Sequence, residues 1–120
     1  MIRASLISLL LLATPAAAKT VVLDDRPGGY VLHHVKQADY WLKHRTRVII
    51  AGHQKSAAAI QVVYFAGRGG RVCAKRNAKL YFHMGRMPDG TPVDANRRIL
   101  GRSIKEGWYS PAKFGIGACR

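Results

Sequence analysis

Ser56 and His83 are the side chains of this sequence best suited to acyl chemistry. Ser56 follows a β-branched apolar run, Arg47-Val-Ile-Ile50, and a bend at Gly52, and it opens an apolar stretch from Ala57 to Ala66. That order reads as strand, turn and buried helix, with the hydroxyl at the helix start. A serine there has two uses. As an N-cap it accepts a hydrogen bond from a free backbone N–H, worth about 1 kcal/mol. As a nucleophile it stands beside backbone donors and the positive end of the helix dipole, where an oxyanion is stabilised. His83 ends the stretch Asn77-Ala-Lys-Leu-Tyr-Phe-His83 and supplies a base of suitable type. Upstream, Arg26-Pro-Gly-Gly29 is either a plain tight turn or a cradle of main-chain donors.

These residues need elements to hold them. Thr20-Val-Val-Leu23 predicts a short strand. From Tyr30 to about Arg45, apolar residues at Val31, His34/Val35, Ala38, Trp41 and Leu42 predict an amphipathic helix. With the strand at Arg47–Ile50, this order makes a βαβ unit with parallel strands. In such sheets ligands bind beyond the carboxyl ends of the strands, where both Gly28-Gly29 and Ser56 fall. Gly67-Arg-Gly-Gly-Arg71 reads as a turn, and Val72–Ala74 and Asn77–His83 as further strands. Met84–Val93 carries Gly85, Pro88, Gly90 and Pro92 and reads as an exposed loop. Asp94 predicts the cap of a helix running to about Glu106 and stopped by Gly107, followed by an irregular tail from Trp108.

Composition sets the surroundings. Met1-Ile-Arg3, the apolar run Leu6–Leu12, Pro15 and Ala16-Ala17-Ala18 have the layout of a secretory signal peptide cut after Ala18. The apolar run is too short for a stable transmembrane anchor. Residues 19–120 then form a single domain, periplasmic or secreted. In an oxidising compartment the two cysteines, Cys73 and Cys119, are expected to pair as a disulfide. No Cys-x-x-Cys or His-Glu-x-x-His spacing is present, and the histidines His33, His34, His44 and His53 are scattered, so no metal and no cofactor is expected. The formal net charge of +14, from 20 Lys and Arg against 6 Asp and Glu, favours anionic partners.

The ordered set Arg26-Pro-Gly-Gly29, Gly52-His-Gln-Lys-Ser56 and Asn77-Ala-Lys-Leu-Tyr-Phe-His83 resembles the Clp-type serine peptidases within the wider ClpP/crotonase-like fold. The resemblance runs from about Val21 to His83. It implies an α/β fold of stacked βαβ units with a mostly parallel sheet, in a small or shortened version. It implies Ser56 as nucleophile, His83 as base, and the backbone N–H groups of Gly29 and Ala57 as the oxyanion hole. Family members place an acid after the histidine; here the downstream carboxylates are Asp89, Asp94 and Glu106. The expected function is therefore an exported serine hydrolase, a peptidase acting on peptide or protein substrates, with homo-oligomers implied. The alternative is a catalytically inactive relative: a basic protein binding wall or lipid phosphate, acidic protein or nucleic acid. Retention on an anionic polymer that falls steeply with salt marks that alternative.

Overall fold

A computed structural model describes residues 18–120, so the expected signal peptide of residues 1–18 lies almost wholly outside the described residues. The chain is α/β. Strand β1 (Thr20–Leu23) leads through Asp24–Tyr30 into helix α1 (Val31–Lys43), and β2 (Arg47–Ile50) follows. After a tight loop come the two-residue strand β3 (Gln54–Lys55), helix α2 (Ala57–Gly67) and strand β4 (Arg71–Ala74). β1, β2 and β4 form a parallel sheet in that order, with Val21 opposite Val48 and Val48 opposite Val72. Parallel neighbours require crossover connections, which α1 and α2 provide.

The two helices build the core. Val48 and Ile50 alternate inward from β2 and are fully buried. Helix α2 is buried from Ala57 to Phe65, which explains why its sequence shows no polar face. Trp41 of α1 meets Phe65 of α2 edge to face at 5.6 Å between ring centroids. The same helix pair is joined by polar contacts: the Tyr64 hydroxyl donates to Asp39 over 2.7 Å, and Gln61 Nε2 donates to Gln37 over 2.8 Å.

A second sheet carries the site. β5 (Leu80–Phe82) pairs in parallel with β3 and antiparallel with β8 (Gly107–Tyr109). Between β5 and β8 lie a hairpin of β6 (Gly85–Arg86) and β7 (Pro92–Val93), then the short helix α3 (Ala95–Leu100). The expected exposed loop over Met84–Val93 is therefore a two-stranded hairpin, closed by Met87 N–H to Thr91 carbonyl at 2.8 Å. The helix expected to reach Glu106 stops six residues earlier than that position, at Leu100. Gly101 adopts the left-handed conformation (φ 78°) that terminates helices, so the first available glycine ends it rather than Gly107. The tail is also more regular than its composition suggests, with β8 followed by a 3₁₀ turn at Pro111–Phe114.

Cys73 and Cys119 form the expected disulfide, with Cα atoms 4.9 Å apart. Beside it the tail pairs with β4: Ala74 N–H donates to Gly117 at 2.9 Å, and Cys119 N–H to Ala74 at 3.0 Å. The bridge spans a sequence separation of 46. For a loop of that size the chain-entropy model gives about 4 kcal/mol of stabilisation. The Cys73→Ser, Cys119→Ser double variant is expected to lose stability of that order. Urea unfolding checks this as a lower midpoint with a steeper slope, since the unfolded chain without the cross-link exposes more surface.

Candidate active site

The site begins with a backbone distortion. Ser56 joins β3 to α2 with φ 56° and ψ −120°, outside the regions open to ordinary L-residues. Holding a non-glycine residue there costs about 1–3 kcal/mol, and surrounding bonds must enforce it. They do: Ser56 N–H donates to the Tyr81 carbonyl of β5 at 2.8 Å, and the Ser56 carbonyl accepts from Ile60 N–H at 3.0 Å. A strand–turn–helix of this kind lifts a nucleophilic hydroxyl out of the chain. The Ser56 side chain makes no capping hydrogen bond, so the capping role open to it from sequence is not used. Its Oγ is instead hydrogen-bonded to Nε2 of His83, just beyond the end of β5.

The other ring nitrogen fixes the tautomer. His83 Nδ1 lies 2.7 Å from the main-chain carbonyl of Met84. A carbonyl can only accept, so Nδ1 carries the hydrogen in the neutral ring. Nε2 then presents its lone pair to the Ser56 hydroxyl, as a general base must. The downstream carboxylates are engaged elsewhere. Asp89 accepts from Thr91 N–H at 2.9 Å within the hairpin. Asp94 caps α3 through Arg97 N–H at 3.0 Å and accepts from the Ser103 hydroxyl at 2.5 Å. Glu106 stands against the Tyr81 hydroxyl, whose pKa is raised by desolvation first and by this carboxylate second. The orienting group for the imidazole is thus Met84, a residue with no signal in its side chain.

Main-chain docking brings the Pro-Gly-Gly turn to the same place. Arg26 N–H donates to the His53 carbonyl at 2.9 Å, and Lys55 N–H to the Arg26 carbonyl at 3.0 Å, so the turn runs alongside β3. Gly28 (φ 104°) then packs against the serine: a Cβ at Gly28 would stand 2.9 Å from the Lys55 carbonyl oxygen and 3.0 Å from Ser56 Cβ. Gly52 is equally constrained, because a Cβ there would lie 2.4 Å from the Asp25 carboxylate, which accepts from His53 N–H at 2.7 Å. Gly29, Ser56, Ala57 and His83 line one cleft of about 310 Å³ with Pro27, Tyr30, Val31, Ile60, Gly85, Arg86 and Ala95. Among the described residues, the N–H groups of Gly29 and Ala57 have no protein acceptor, and both border this cleft.

A buried polar network holds the turn from behind. The Arg26 guanidinium enters the interior, where Nε donates to Gln54 and Nη1 to Gln61 at 2.8 Å. Gln54 and Gln61 are fully buried. Gln54 Nε2 in turn donates to the Asp24 carbonyl at 2.7 Å. Burial lowers the Arg26 pKa to about 10. Its Nη2 has no partner among the described residues. The sequence signal for this network was the lone polar residue, Gln61, inside an otherwise apolar helix.

Comparison with family models, curated proteins and solved structures finds no match to this chain.

Two outcomes follow. Gly28→Ala is expected to displace the Ser56 turn. It combines a left-handed φ with a contact no Cβ tolerates, at about 1–3 kcal/mol in stability. Thermal unfolding reads that loss, and reactivity of Ser56 toward an acylating probe reads the displacement. Asp94 has its pKa held below the usual carboxylate value by the Ser103 hydroxyl first and the Arg97 N–H second. A depressed folded pKa stabilises above the unfolded value of about 3.9, and that contribution disappears as pH falls through the folded value. Asp94→Asn keeps a competent cap. The stability difference between wild type and Asp94→Asn is therefore expected in full at neutral pH, should begin to shrink near about pH 4, and should be lost only as pH falls through the lower folded value, as measured by urea titration at each pH.

Proposed function

We propose that this chain is a serine hydrolase, a peptidase in its simplest form, with Ser56 as nucleophile and His83 as general base. The Ser56–His83 hydrogen bond at a strained strand-to-helix turn carries this reading. In the first step His83 Nε2 accepts the hydroxyl proton as Oγ bonds to the substrate carbonyl carbon. The oxyanion that forms is received by the N–H groups of Gly29 and Ala57. Collapse breaks the bond to the leaving amine or alcohol, which takes its proton from the imidazolium. Water then attacks the acyl ester with His83 as base, releasing the acid and restoring Ser56. The Met84 carbonyl keeps the proper tautomer, but as a neutral dipole it stabilises the imidazolium less than a carboxylate does.

The reading extends to fold and setting. The parallel β1–β2–β4 sheet with two crossover helices, and the separate site-bearing strands, agree with a shortened ClpP/crotonase-like domain. The Cys73–Cys119 bond suits a periplasmic or secreted protein. The excess of Lys and Arg supports the second reading, in which the domain holds an anionic polymer and performs no chemistry.

A fluorophosphonate probe separates the two. Wild-type protein is expected to be labelled on Ser56. Ser56→Ala should abolish labelling, and His83→Ala should slow it at least about a hundredfold, the scale of a lost general base. Equal labelling of wild type and Ser56→Ala, or none of either, removes the hydrolase reading.

A further inference from the structure

The outer face of the site-bearing sheet carries a row of side chains that the chemistry above does not use. The β3–β5–β8 register places Lys55 opposite Tyr81 and Tyr81 opposite Trp108. Their strand neighbours Gln54, Leu80 and Phe82 are fully buried on the other face, so this row faces outward. Trp108 is 47% exposed even though neighbours hold it on several sides. The Tyr81 and His53 rings each lie 5.0 Å from it, centroid to centroid, and the Lys55 ammonium is 5.7 Å from its ring centre. An indole fixed by aromatic and cationic contacts, with one side open to solvent, offers contact area at little entropic cost.

The row is continuous with the reacting residues. Lys55 immediately precedes Ser56. The Tyr81 ring lies 6.1 Å from the His83 ring, two residues along the same strand direction. Two receptive surfaces therefore flank the Ser56–His83 pair. One is the cleft bordered by Tyr30, Val31, Ile60 and Ala95, together with Gly29 and Ala57. The other is the aromatic row, which adjoins the histidine. In serine acyl transfer the leaving atom takes its proton from the histidine, so the departing segment lies on the histidine's side.

We propose that Tyr81 and Trp108 form the leaving-group subsite, and that it favours a flat apolar side chain on the residue following the scissile bond. This rests on the reading of Ser56 as nucleophile. Lys55 and His53 border the same surface as specificity-determining neighbours, with Glu106 at its Tyr81 end.

Acyl transfer to added amines tests the subsite directly, because the incoming amine occupies the place the leaving group vacates. Acetyl-Ser56 is formed from p-nitrophenyl acetate with a burst of p-nitrophenolate. Glycinamide or phenylalaninamide is then supplied. The amine attacks the ester carbonyl, the bond to Ser56 Oγ breaks, His83 passes the proton, and the N-acetyl amide is quantified by mass spectrometry. Phenylalaninamide is expected to intercept the acyl-enzyme about three- to tenfold better than glycinamide, the scale of one aromatic contact. Trp108→Ala should bring the two amines level, read as the ratio of N-acetyl amide to acetate so that any change in the rate of acylation cancels, and Trp108→Phe, which retains a flat ring, should keep most of the preference. A normal burst with equal interception in wild type overturns the subsite alone, as does a preference that survives Trp108→Ala. The absence of any p-nitrophenolate release in wild type beyond that of Ser56→Ala, as a burst or in steady state, overturns the hydrolase reading, and the subsite with it.

Discussion

The unfavourable backbone of Ser56 is the constraint on which the rest of the site depends. A residue at φ 56° and ψ −120° relaxes unless its neighbours forbid it. Here the strand before it is paired on both sides, by Arg26 and by β5, and the helix after it is buried throughout its first nine residues from Ala57 to Phe65. The distortion is thus supported by a packed core behind and main-chain bonds beside it. One result is geometric: the hydroxyl cannot turn back to cap its own helix and meets His83 instead. Another is electrostatic: the first N–H groups of α2 stay open at the positive end of the helix.

The cationic interior next to this turn is unusual. Arg26 lies between two glutamines rather than beside a carboxylate. The two amide oxygens take up Nε and Nη1 of the guanidinium but do not neutralise it, and the lowered pKa records the desolvation that remains. What the arrangement gives in return is position. With its side chain fixed to Gln54 and Gln61, Arg26 anchors the chain immediately before Pro27-Gly28-Gly29, and the turn passes so close to Ser56 that a Cβ at Gly28 would not fit.

The sequence made the first half of the fold readable and the second half less so. The apolar spacing of α1 and the β-branched runs of β1 and β2 are strong local signals, and both helices expected before Arg71 lie within two residues of their expected bounds at each end. The two-residue strand β3 was invisible because its pairing comes from Arg26 and Leu80, distant in sequence. The hairpin of β6 and β7 was hidden by the same glycines and prolines that suggest a loop, and in α3 the left-handed Gly101 prevailed over continuing apolar spacing at Ile104. At the site, Ser56 and His83 were legible as types in a telling order. The orientation of the imidazole was not, because the group that fixes it is a main-chain carbonyl, which every residue possesses. Trp108 was likewise read as part of an irregular tail, since only the register with Tyr81 reveals its place.

The Cys73–Cys119 bond has a topological result beyond its contribution to stability. It closes a covalent ring that contains His83, the hairpin of β6 and β7, α3 and β8, while Ser56 lies outside. Scission at the exposed hairpin tip, between Met87 and Thr91, would divide the polypeptide without releasing either fragment. Both pieces would stay joined through sulfur, so a nicked molecule would run as one species until a reductant separates it.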